Sequence, residues 1–122
     1  MHKIGVYGSL KKGMYNYRKE QGEPIAHGKV SGAMFLPYSY PHLFRAEVSD
    51  PQHVKEYDVE VYEVSDDLFN SLNRMEEGAG YQAVDCTIAG HEVVVWFMND
   101  NVKPRGMWIP EYSKETAPMA LA

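Results

Sequence analysis

The sequence predicts an α+β domain in which about six short strands curl into a small mixed or antiparallel β-barrel with flanking helices. Three observations predict it. Apolar and polar residues alternate with period two over residues 54–64 and again over 81–88, the pattern of half-buried strands. One stretch only, 66–76, carries strong helical spacing. Many short strands with little helix favour a closed or curled sheet, because closure hides the strand edges.

The elements follow in order along the chain. Residues 3–7 (Lys-Ile-Gly-Val-Tyr) read as a short buried strand that Gly8-Ser9 breaks. Residues 9–21 mix Lys, Met, Tyr and Asn and suit a loop leading into a weak helix, ended by Gly22 and Pro24. A second strand is expected over 28–36, carrying Val30, Ala33, Met34 and Phe35, and Pro37 and Pro41 bound a tyrosine-rich turn after it. Residues 43–48 form the third strand, and Ser49-Asp50-Pro51 the next turn, since Asp and Ser bond locally and Pro fixes φ.

In the strand at 54–64, Tyr57, Val59 and Val61 alternate with Asp58, Glu60 and Tyr62. Ser65 then supplies an N-cap, and Asp66 and Asp67 oppose the helix dipole in the first turn. Leu68, Leu72 and Met75 recur as the apolar stripe, with Phe69 beside it, and Gly78 and Gly80 stop the helix. The segments 81–88 and 92–98, joined by Ala89-Gly90-His91, read as a hairpin. Beyond Asn99 the pattern fades, with Trp108 as a late anchor and a loose tail from about 116.

Size and charge narrow the possible functions. At 122 residues the chain is expected to form a single domain over 1–122. The balance of 12 basic against 17 acidic residues, a net charge of −5, disfavours nucleic-acid binding, which needs clustered Lys and Arg. One cysteine, Cys86, excludes an internal disulfide, and no apolar run approaches the ~20 residues that span a bilayer. The first eight residues do not make a secretory signal, so a soluble, reducing, cytoplasmic setting is the expected one. The five histidines are scattered without metal-ligand spacing, and Cys86 sits mid-strand where a structural thiol is common.

Two segments suggest chemistry. Tyr7-Gly8-Ser9-Leu10-Lys11-Lys12-Gly13 places a glycine directly after a buried strand, where a sharp turn aims successive N–H groups at one anionic group. By itself, Gly-Ser after a strand is commonly just a turn. Glu76-Glu77-Gly78 puts two carboxylates at a helix C-terminus, where the dipole disfavours ionisation. Exposed pairs of this kind are commonly only solvated surface. Tyr81, just beyond, is either a pocket wall or a core aromatic, and Tyr15, Tyr17, Tyr38 and Tyr40 add aromatic surface that could line a pocket.

Taken together and in order, these segments resemble the γ-glutamylcyclotransferase (AIG2-like) superfamily. The opening Tyr7-Gly8-Ser9-Leu10-Lys11-Lys12-Gly13 with Asn16 is similar to the γ-glutamylamine cyclotransferase branch above all. Tyr40-Pro41, Glu60-Val61-Tyr62, Leu72-Asn73-Arg74-Met75-Glu76, Tyr81 and Gly106-Met107-Trp108 resemble its later landmarks. The likeness runs from about residue 3 to 108. Asn73, Val59 and Met107 depart from it, standing where members often carry Asp, Gly and Asp.

The resemblance implies a small barrel that holds a small-molecule γ-glutamyl substrate. Tyr7, Gly8, Ser9, Leu10 and Tyr81 would bind it, and Glu76, with Glu77 only its neighbour, would move protons. It implies conversion of a γ-glutamyl amide or amine to 5-oxoproline with release of the free amine, and needs no metal or organic cofactor. The alternative is a catalytically inactive module of the same fold that binds an amino-acid-like ligand. The leaving amine and the oligomeric state stay open at this level.

Overall fold

The computed structural model describes residues 1–37 and 40–113, so Tyr38 and the tail expected from 116 lie outside the described residues. Seven strands and one α-helix follow in the order β1 (His2–Val6), β2 (Ala26–Leu36), β3 (His42–Arg45), β4 (Lys55–Val64), α1 (Asp66–Gly78), β5 (Tyr81–Ile88), β6 (His91–Met98) and β7 (Met107–Ile109). The main sheet runs β3-β2-β4-β1-β6-β5. All its ladders are antiparallel except β1 with β6, where Ile4 pairs with Val94 and Gly5 with Val95. The sheet is therefore mixed.

Its curl comes from β2. The first part of this long strand, from Ala26 to Gly32, pairs with β4, and its last part pairs with β3 and β7. The bend this requires brings β3 round against β6, although three strands separate them in the sheet. The result is a half-barrel carrying one helix, the fold class expected.

Two apolar clusters lie on the two faces of the curl. The concave side holds Val30, Met34, Leu43, Tyr57, Val59, Val61, Val95 and Phe97 with Tyr7 and Tyr112. The convex side holds Ile4, Val6, Tyr62, Val64, Trp96 and Met98 under Leu68 and Leu72 of α1. Tyr62, expected on the polar face of its strand, is therefore fully buried. Period-two alternation cannot reveal that a helix lands on the outer face.

The helix forms as its sequence dictates. Ser65 Oγ accepts the Leu68 N–H at 3.1 Å, and Asp66 and Asp67 occupy the first turn. Met75, expected in the buried stripe, is 38% exposed. The inward row instead runs through Leu68 and Leu72, and Met75 turns away from it. The helix continues through Gly78 before Gly80, with φ +96°, turns the chain.

Three further expectations are corrected. Residues 9–21 form turns, with a single 3₁₀ turn at Lys19–Gln21 in place of a helix. The third strand stops at Arg45, because Ser49 Oγ donates to the Arg45 carbonyl at 2.7 Å and Ala46–Val48 coil into a 3₁₀ turn. A seventh strand, β7, forms where no pattern predicted one. It is three residues long, and Trp108 Nε1 donates to the His53 carbonyl at 2.9 Å from its centre. Three residues are too few for periodicity to register.

Candidate active site

The chain leaves β1 at Val6 and turns at once, and this turn makes one wall of a cleft. Gly5, Val6, Tyr7, Gly8, Ser9 and Leu10 line it together with Pro41, Glu76, Tyr81 and Trp96. Its volume is about 40 Å³, room for a few water-sized groups. All six residues singled out from the sequence, Tyr7 to Leu10, Glu76 and Tyr81, meet in this one cleft.

The turn is held from three directions. Asn16 Nδ2 donates to Ser9 Oγ at 3.0 Å, and Asn16 N–H to the Ser9 carbonyl at 2.8 Å. Gln21, buried, donates from Nε2 to the Leu10 carbonyl at 3.0 Å. Glu60 Oε1 accepts the Lys12 N–H and the Tyr62 hydroxyl, each at 2.7 Å. Among the described residues, none of the N–H groups of Gly8, Ser9 or Leu10 donates to another backbone group in the loop. A turn so braced, with amide hydrogens to spare, is a preorganised receptor for a carboxylate or an oxyanion.

Gly8 is required for close packing. A Cβ there would stand 2.8 Å from Pro41 Cγ and 3.9 Å from Tyr112 Cε2. Larger residues would push the turn away from β3 and the chain after β7.

Glu76 enters from α1. It lies one helical turn beyond Leu72 and two beyond Leu68, so it continues their inward row while Glu77 faces outward. Burial pushes its carboxyl up to about 7. The cause is loss of solvent, which the sequence did not suggest. Glu77 is exposed, and its Oε1 accepts from Asn73 Nδ2 at 3.2 Å.

The two tyrosines of the cleft are protonated struts. Tyr7 Oη donates to the Trp96 carbonyl at 2.6 Å, and Tyr81 Oη to the Pro41 carbonyl at 2.7 Å. Burial raises both hydroxyls well above the usual phenol range, and the Glu76 carboxylate adds to each shift. With their hydrogens committed to the backbone, they set the width of the cleft and can offer a ligand only lone pairs.

Trp96, Pro41, Asn16 and Asn73 take part in ways no motif announced. Trp96 walls the cleft, and its Nε1 donates to Asn73 Oδ1 at 2.9 Å. Asn73, which stands where a resembling chain would carry Asp, thus orients an indole, a role its amide serves without charge. Asn16 was part of the opening signature, but its bond to Ser9 depends on a loop conformation that sequence does not display.

Comparison with known proteins gives a consistent result. A family model described as "Gamma-glutamyl cyclotransferase, AIG2-like" matches residues 4–114. A protein of Pyrococcus horikoshii, provisionally named a gamma-glutamylcyclotransferase, is 32% identical over 108 residues, covering 85% of this chain and 83% of its own length. The crystal structure of that Pyrococcus protein superposes with a TM-score of 0.72 at 26% identity, over 90% of this chain and 86% of that one. An AIG2-like protein from Mus musculus has the same fold, with a TM-score of 0.63 at 19% identity, over 94% of this chain and 90% of that one.

Proposed function

Because this chain belongs to the gamma-glutamyl cyclotransferase, AIG2-like family, we propose that it converts a γ-glutamyl amide or amine to 5-oxoproline and releases the free amine. One observation carries the reading: a buried carboxyl, Glu76, shares a narrow cleft with the braced amide turn of residues 7–10.

The chemistry follows from these parts. The substrate's own α-amine attacks its γ-carbonyl carbon, a C–N bond closes the five-membered ring, and the bond to the departing amine breaks. Folding the substrate over itself converts this into a well-oriented intramolecular attack, in which proximity removes much of the barrier. The α-ammonium must first lose a proton, which Glu76 accepts and later passes to the leaving nitrogen; the second proton, shed by the ring nitrogen once the C–N bond has formed, goes to solvent. The amides of Gly8 to Leu10 hold the substrate carboxylate or the oxygen that gains charge in the tetrahedral intermediate. The cleft opens to solvent, so the leaving-amine part of the substrate can extend outward from it.

The test is incubation with a panel of γ-glutamyl dipeptides and γ-glutamylamines, with 5-oxoproline detected directly. Product from any member supports the reading. A folded protein that binds these compounds and releases nothing is a ligand-binding module of the same fold.

The pH profile gives a separate check. Glu76 acts as a base only when ionised, and its carboxyl titrates at about 7. The rate constant kcat/KM is therefore expected to climb from pH 5 to 8 with a midpoint near 7, where an ordinary carboxylate would give a plateau above about 5. A flat profile across that range assigns the base elsewhere.

Asn16→Ala probes the preorganised turn. It removes the bond to Ser9 Oγ and is expected to lower kcat/KM roughly tenfold, through misplacement of the amides. Thermal melting should show only the loss of one hydrogen bond, about 1 kcal/mol. Unchanged kinetics would show that the turn keeps its shape without this tie.

A further inference from the structure

Five tyrosines of the described residues are buried: Tyr7, Tyr57, Tyr62, Tyr81 and Tyr112. Four of their hydroxyls have acceptors within the protein, the Trp96, Ile109 and Pro41 carbonyls for Tyr7, Tyr57 and Tyr81 and the Glu60 carboxylate for Tyr62. The fifth, Tyr112 Oη, is buried and has no hydrogen-bond partner among the described residues. Tyr112 as a whole is only 6% exposed. A buried hydroxyl left this way is unfavourable, and proteins rarely keep one without a use for it.

Its position suggests the use. The Tyr112 ring packs against Gly8, its Cε2 3.9 Å from where a Cβ would stand, so it lies against the amide turn. The ring also lines a second cavity of about 170 Å³, which it shares with Tyr7, Lys11 and Tyr57. Tyr7 borders both spaces, so Tyr112 stands beside the boundary between the cleft and the larger cavity.

We infer that Tyr112 is a substrate-binding residue, whose hydroxyl donates a hydrogen bond to an oxygen of the γ-glutamyl group held on the Gly8 turn. The bound ligand supplies the acceptor that the described residues lack. This rests on the γ-glutamyl reading of the cleft. It adds to that reading a side-chain contact delivered by the segment after β7, far in sequence from the turn it packs against.

The decisive variant is Tyr112→Phe, which removes the hydroxyl and nothing else. A hydroxyl unpartnered among the described residues contributes no stability, so the melting temperature should stay the same or rise. KM should rise roughly 3- to 10-fold, the worth of one neutral hydrogen bond, with kcat little changed. Tyr57→Phe is the internal control: its hydroxyl is satisfied at both ends, accepting from the Met34 N–H and donating to Ile109, so that variant should melt lower.

An unchanged KM in Tyr112→Phe overturns the inference, and so does a melting temperature that falls as it does in Tyr57→Phe. If the wild type forms no product, 5-oxoproline binding by calorimetry replaces KM. Weaker binding to Tyr112→Phe than to wild type then upholds the contact even though the reaction has failed. Equal affinities, or no binding by the wild type, overturn it.

Discussion

Replacing Glu76 with Gln is expected to reduce 5-oxoproline formation by about 10²- to 10⁴-fold, the usual contribution of a positioned acid/base group. The amide keeps the shape of the side chain and the hydrogen-bonding capacity but cannot take a proton. Glu77→Gln should leave the rate within a factor of two or so, because Glu77 is exposed and only meets Asn73. The pair isolates position from composition, since the two carboxylates are neighbours in sequence and differ only in which way the helix turns them. Equal losses from both variants, or none from either, would remove Glu76 from the mechanism.

The same substitution has a second expected consequence, on stability. Between the ordinary carboxyl value of 4.5 and about 7, the folded protein holds a proton that the unfolded chain releases. Stability therefore falls as pH rises through that window. Glu76→Gln removes the ionisation and should be more stable than wild type at pH 8, on the order of 1–2 kcal/mol given the partial exposure of the site. The advantage should vanish by about pH 4.5. Urea melts at the two pH values measure it, and an equal gap at both would show that the carboxyl is not perturbed by burial. A group that costs stability where it is ionised is a common mark of a site kept for function.

Gly106→Ala is expected to be the most damaging single change to the fold. Gly106 has φ +82°, and a Cβ there would meet the Leu36 carbonyl and Pro37 Cα at 2.5 Å. These are backbone atoms at the end of β2 and cannot swing aside. Left-handed strain and overpacking together should cost roughly 3 kcal/mol or more. That corresponds to a drop in melting temperature of roughly 10–20 °C for a chain of this size.

Gly90→Ala provides the comparison. It has nearly the same backbone conformation, φ +80°, with nothing within 4 Å, so it carries the strain without the crowding. Equal melting of the two variants would mean that residues 106–109 do not lie against Leu36. The contact matters to the site as well as the fold. Gly106 brings the chain to β7, and three residues beyond β7 it delivers Tyr112 against Gly8.

Where the physics is local, it was legible in the residues. The N-cap at Ser65, the two acids behind it and the glycines after the helix each act within a few positions, and α1 forms as read, extended only through Gly78. The hairpin of β5 and β6 is equally local, and its ladder runs from Tyr81 opposite Met98 to Ile88 opposite His91. Glu76 was singled out only through the family resemblance, since its pairing with Glu77 read by itself as solvated surface; the Gly8 turn was legible because it follows a strand too apolar to be exposed.

What the residues could not show depends on which distant groups meet. Period two marks a strand with one buried face, so it missed that α1 buries Tyr62 on the other. The stripe that included Met75 was off the inward row, which runs from Leu68 through Leu72 to Glu76 and leaves Met75 exposed. Helix position suggested that the dipole and Glu77 perturb Glu76, and gave no sign of the desolvation by walls contributed by β1, β5 and β6. Asn73 read as a lost charge and proves to be a hydrogen-bonding support for Trp96.

The sequence by itself determined the helix, the longer strands and the turn after β1, because each rests on bonds and spacings between near neighbours, while family resemblance marked the carboxyl that could serve the turn. Tertiary structure alone decided that the turn and the carboxyl share a cleft, and that the carboxyl is desolvated there. It also decided that Tyr112, more than a hundred residues away, packs against Gly8 with a hydroxyl unpaired among the described residues. Burial and contact depend on how the sheet curls, and the curl sums small twists along every strand that no local stretch of sequence contains.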